Sequence, residues 1–178
     1  ASCAPSRAAL LTGRFATRSG FEFTPANPQF AEFTNTLTAT DDYIEENAAN
    51  YPPVESLGLP SSELTIPEML NAADYHSVAI GKWHLGRTEG LRPLDQGFDE
   101  FLGFLAGGAK FMEEDDPNVV NSKQDYDPID KYLWPNLSFG VQHNNGARFR
   151  PDSHMTNYFS REAIKSIEAN KNRPFFMY

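Results

Sequence analysis

Cysteine is almost missing from this chain: Cys3 is the only one in 178 residues, so no internal disulfide can staple the fold. The count leaves the redox compartment open. Positive charge is also scarce, with 15 Lys plus Arg against 24 Asp plus Glu and a net charge of −9. Nucleic acid or an acidic membrane is therefore not expected as a partner, because phosphate binding needs a basic face. Any anion-binding site must be local. No apolar run reaches the ~20 residues of a membrane-spanning helix, and no basic-then-apolar leader precedes the first motif. Internal repeats and long low-complexity tracts are also missing. What is present, 40% hydrophobic and 13% aromatic residues, suffices for one sizeable core. The chain begins without methionine and stops at Pro174-Phe175-Phe176-Met177-Tyr178, a strand just begun, so it is expected to be an internal piece of a longer protein.

Alternation of helix and strand predicts an α/β fold. Pro5 suits a first helical turn and Gly13 a left-handed stop, which predicts a helix over 4–12. Residues 20–64 read as irregular, broken by Pro25, Pro28, Pro52, Pro53 and Pro60. Thr65 and Glu68 form a capping box, followed by an amphipathic stripe of Ile66, Met69, Leu70 and Ala73. Ser77 to Ile80 reads as a buried strand ended by Gly81. Residues 107–152 turn polar and read as an excursion with small strands, Asn145-Gly146 closing a hairpin between 139–142 and a segment starting near Arg148. Met155, Tyr158, Phe159, Ala163, Ile164 and Ile167 restore helical spacing as a core stripe, and 175–178 supply the next strand.

Two stretches carry chemistry. The first helix puts Cys3 at its N-terminus, where free N–H groups and the macrodipole favour negative charge, and places Arg7 one turn on. A lone cysteine is usually a small buried hydrophobe. The second stretch, Gly81-Lys82-Trp83-His84-Leu85-Gly86, leaves the C-terminal end of a predicted strand, where open α/β sheets place ligands. Extended geometry would point Lys82 and His84 to one side and pack Trp83 on the other, which suits a tetrahedral oxyanion. A thiol phosphatase is excluded, because its loop needs Arg six positions after Cys and Ala9 stands there.

Cys3-Ala4-Pro5-Ser6-Arg7, continued by Leu11-Thr12-Gly13-Arg14, resembles the sulfatase signature, and Gly81 to Gly86 resembles that family's second motif, in the family's order. Weaker likeness runs through Pro93, Gly97-Phe98-Asp99, Phe101 to Gly103, the final helix and Pro174-Phe175-Phe176. Asp74 stands where related sequences commonly carry glycine. The resemblance implies an alkaline-phosphatase-like sulfatase fold, with residues 1–178 a partial piece of the N-terminal catalytic domain. It implies a calcium-dependent sulfuric ester hydrolase in which Cys3 is oxidised to formylglycine by a maturation enzyme. One oxygen of the hydrated aldehyde attacks sulfur and expels the alcohol. The other then collapses to the aldehyde and releases sulfate.

By the same resemblance Cys3 is nucleophile precursor and, as formylglycine, a calcium ligand; Arg7 holds the diol; Lys82 binds sulfate; and His84 hydrogen-bonds the diol while facing the substrate. The family's paired aspartates precede the first motif, and its later Asp/Asn ligands, leaving-group histidine and second lysine follow beyond Tyr178. The piece alone is therefore expected to be inactive. The substrate class implied is a small sulfate ester or sulfated glycan, in a periplasmic, secreted or lysosomal setting. Two rivals stand beside this reading. One is a phosphonate or phosphate ester hydrolase on the same fold, and the other is a non-catalytic chain that is truncated or binds sulfated glycans.

Overall fold

The computed structural model describes residues 2–26, 30, 52–120 and 123–178. Much of the first segment expected to be irregular, 27–29 and 31–51, lies outside the described residues. A five-stranded mixed sheet organises the rest. It is built from β1 (His76–Lys82), β2 (Glu100–Phe104), β3 (Val141–His143), β4 (Arg148–Phe149) and β5 (Phe175–Met177), in the order β4-β3-β2-β1-β5. β1 lies parallel to both β2 and β5, with Val78 opposite both Glu100 and Met177. β3 and β4 are antiparallel additions on the β2 side.

Helices cover both faces of the sheet. α1 (Cys3–Thr12) buries Ala4, Ala8 and Leu11 against Ala79, Trp83, Phe98 and Phe101. α5 (Met155–Asn170) sets Met155 and Tyr158 against Leu102, Phe104 and Val141 on the other face. Because strand side chains alternate, Phe101 and Leu102 serve different layers. The three-layer arrangement is that of an α/β protein.

Several local expectations hold. α1 stops at Gly13 with φ 65°. Thr65 and Glu68 close the capping box on the six-residue α3 (Ile66–Asn71), Glu68 Oε2 accepting from the Thr65 amide at 2.7 Å. α2 is the short helix Ala16–Ser19. Asp74 takes φ 57°, a left-handed turn that Asp tolerates better than most residues through local hydrogen bonding.

Other expectations need correction. α3 ends before Ala73, and its stripe is not a buried face, since Met69 is 47% exposed. The anchor is Pro67, which is buried. On α5 the stripe enters the core only in its first half, and Ile164 and Ile167 stay 62% and 43% exposed. The segment 107–152 is also not only loop and hairpin: it holds α4 (Pro128–Asn136), whose N-cap Asp127 accepts from the Ile129 amide at 2.8 Å. The hairpin itself forms, turning through Asn144 at φ 49°, with the Gly146 amide donating to the His143 carbonyl at 2.8 Å.

Candidate active site

Parallel pairing brings the C-terminal ends of β1 and β2 side by side. The ladder continues past both strands, the Trp83 and His84 amides donating to the Phe104 and Leu105 carbonyls at 2.9 and 3.1 Å. At His84 the backbone leaves extended geometry, with φ 61°. Strict alternation therefore ends there. Trp83 points into the core, 0% exposed, edge-on to Phe98, and its indole N–H donates to the Leu91 carbonyl at 2.9 Å.

The first turn of α1 sits over this junction. Cys3 Sγ lies 3.1 Å from His84 Nδ1 across 81 positions of sequence, with Cys3 exposed and His84 only 4% exposed. Burial, reinforced by the charges of Lys82, Arg7 and Arg87, pushes the imidazole down to about 4; a hydrogen bond to the Pro25 carbonyl opposes this. The ring is neutral near pH 7. A neutral imidazole has one donor and one acceptor nitrogen, and the Pro25 carbonyl can only accept. The tautomer satisfying both neighbours has Nδ1 accepting from Cys3.

Arg7 turns inward from α1 toward the backbone of the second motif. Its Nε donates to the Trp83 carbonyl at 2.9 Å, a terminal nitrogen donates to the Lys82 carbonyl, and the guanidinium lies 5.2 Å above the Tyr178 ring. Lys82 is half-buried at the end of β1, and its ammonium has no hydrogen bond or ion pair among the described residues. A cavity of about 350 Å³ opens at Cys3 and His84, with Arg87, Gly107, Tyr132 and Leu133 among its walls. The side chains of Arg7 and Lys82 do not line it. Cys3 and His84 thus meet directly, Arg7 joins them through the backbone, and Lys82 acts on His84 through its charge.

Four contributors escaped the sequence reading. Gly107 lies against the imidazole face, where a Cβ would fall 2.6 Å from His84 Cε1 and Nε2. The Gly107-Gly108 pair itself was the available signal. Tyr132 and Leu133 come from α4, the helix hidden in a polar, proline-containing segment. Arg87 stands three residues after His84, just outside the Gly81–Gly86 motif.

The family model for sulfatases matches residues 1–178. The chain belongs to the sulfatase family. It is 32% identical to N-acetylgalactosamine-6-sulfatase of Mus musculus over 182 residues, covering 99% of this chain and 29% of that protein. To the arylsulfatase of Hemicentrotus pulcherrimus it is 32% identical over 184 residues, covering 99% and 27%. The sulfatase chain thus spans less than a third of these relatives. The crystal structure of Ps i-CgsB superposes with a TM-score of 0.65 at 28% identity, over 99% of this chain and 33% of that one. The same protein was also solved in complex with k-i-k-neocarrahexaose.

Sulfatases are generally formylglycine- and calcium-dependent. Calcium takes six to eight oxygen ligands. Among the described residues no three His, Cys, Asp or Glu side chains gather as a ligand set. These residues therefore do not by themselves make a calcium site. No helix among them is long and apolar enough to cross a membrane.

Proposed function

We propose that the protein hydrolyses sulfate esters carried on carbohydrate, using an oxygen nucleophile formed by oxidation of Cys3. The observation that carries this is the 3.1 Å contact between Cys3 Sγ and the neutral, buried His84 at the mouth of a cavity. An oxidised, hydrated Cys3 would supply a geminal diol. His84 Nδ1 is placed to accept a hydrogen bond from a hydroxyl there, orienting the other toward the cavity. Lys82, Arg7 and Arg87 supply positive charge at the junction, where a sulfuryl group would need its oxygens stabilised. Arg7 also braces the strand end that carries His84. A carbohydrate substrate is supported by the kinship to N-acetylgalactosamine-6-sulfatase and by the oligosaccharide bound to Ps i-CgsB. Because the chain spans 29% of the curated relative, the activity is proposed for a longer polypeptide that includes it.

The test is expression of the full-length protein with a formylglycine-generating enzyme, intact-mass analysis of the peptide carrying Cys3, and assay on matched sulfate and phosphate esters. An aldehyde mass, a higher kcat/KM for sulfate and loss of turnover in Cys3→Ser are the expected results. Undiminished turnover by the serine variant rejects the nucleophile. Preference for phosphate would move the protein to the phosphohydrolase reading, and glycan binding without turnover to the non-catalytic one.

A further inference from the structure

Beside the Cys3 cavity lies a second and larger groove, of about 540 Å³. Three arginines line it: Arg87 and Arg92 from the loop after β1, and Arg148 from β4. Among the described residues no Asp or Glu lines it, although the chain carries 24 of them. None of the three arginines has a carboxylate partner among the described residues. Three unneutralised guanidinium groups facing one concavity repel one another and favour an anionic occupant.

Two of the arginines are also held in place. Arg148 donates to Ser138 Oγ at 2.6 Å, and Arg92 Nε donates to the Arg87 carbonyl at 3.0 Å. Such anchoring lowers the entropy lost on binding. Gln142 and Asn145 add neutral hydrogen-bonding groups to the wall, the mixture that a sugar hydroxyl needs.

The groove adjoins the Cys3 cavity. Arg87, Ala106, Gly108 and Asn136 line both. Arg87 also contributes to the field that depresses His84, so its charge reaches the first cavity while its side chain walls the second. A ligand with one group at Cys3 and a second, anionic group across these shared walls would occupy both.

We propose that this arginine groove is a subsite for a second anionic substituent, a sulfate ester or a carboxylate, on the sugar next to the one being desulfated. The proposal rests on the sulfate-ester reading of the Cys3 cavity and narrows it to polyanionic glycans. Guanidinium forks match the paired oxygens of either anion, and each retained fork adds to affinity only when the neighbouring sugar is charged.

The experiment uses the full-length protein and three sulfated disaccharides that share the scissile ester. Their second sugar carries a sulfate, a carboxylate or neither. Wild type should favour one or both two-anion sugars over the one-anion sugar by at least about tenfold in kcat/KM, and Arg92→Gln/Arg148→Gln should bring that ratio close to one. The preferred anion identifies the source. Raising ionic strength from about 50 to about 500 mM should shrink the wild-type ratio and leave that of the variant flat. A ratio near one in wild type, or a ratio retained by the variant, overturns the proposal. Calorimetric binding of the same sugars to Cys3→Ala protein separates this outcome from failure of the hydrolase reading. If nothing is turned over but the two-anion sugar still binds at least tenfold more tightly, in a manner lost on Arg92→Gln/Arg148→Gln, the groove stands and the hydrolase reading falls.

Discussion

Replacing Gly107 by alanine tests the site with a single methyl group. A Cβ at this position would lie 2.6 Å from both Cε1 and Nε2 of His84, where ordinary contact begins at 3.4 Å. The imidazole would have to move by about 0.8 Å. It has little room to do so, being 4% exposed and joined to Cys3 through Nδ1. Gly107 does not use the left-handed backbone region, so alanine adds volume without dihedral strain. Overpacking of this kind costs about 1–3 kcal/mol, and loss of the contact with Cys3 about 1 kcal/mol more. Misplacing a catalytic group by about 1 Å lowers rates by roughly 100-fold. In the full-length protein, Gly107→Ala should therefore reduce kcat/KM on an aryl sulfate by one to two orders of magnitude, with a lower denaturation midpoint. The neighbouring Gly108→Ala meets only the flexible Leu137 Cδ2, at 3.2 Å, and should cost far less. Wild-type turnover in Gly107→Ala would refute the claim that His84 position governs the chemistry.

Two further predictions concern the same junction. The His84 imidazole should titrate near pH 4 by NMR, and because the unfolded ring takes its proton near 6.5, stability should fall as pH drops between those values, by up to about 3 kcal/mol, and stay flat in this respect above 6.5. An imidazole midpoint near 6.5 would contradict the buried, cation-flanked environment. Trp83→Phe removes the indole donor to the Leu91 carbonyl and leaves a void in a fully buried position; a loss of about 2 kcal/mol is expected in chemical denaturation, and an unchanged midpoint would show that the indole is not the anchor described.

Local signals were the readable ones. Gly13, the Thr65/Glu68 box, β1 and the Asn145-Gly146 hairpin each depend on a few adjacent residues whose preferences agree with the tertiary structure. α4 was hidden because Pro135 sits inside it and no residue of it is buried, so neither periodicity nor propensity marks it. The stripes of α3 and α5 show the opposite failure: the helical spacing is real, but spacing cannot say which positions a neighbour covers, and Met69, Ile164 and Ile167 remain exposed. At the site, the pairing of the two motifs was legible as chemistry, yet its geometry was not. An alternating strand was expected to carry Lys82 and His84 alike, while His84 at φ 61° breaks the alternation and meets Cys3 without Lys82 in the cavity wall. Gly107 and Arg87 acquire their importance only when β2 lies beside β1, a long-range fact that no local window contains.

The guanidinium of Arg7 ties two remote pieces of chain into one mechanical part. It grips consecutive carbonyls 75 and 76 positions away while its own helix carries the sulfur, so the tip of α1 and the tip of β1 share a hinge rather than having one each. Thermal breathing that lifted the helix would drag the imidazole with it, preserving their spacing through motions that would otherwise blur it. Alignment between the two groups is thus inherited from the scaffold before any substrate arrives.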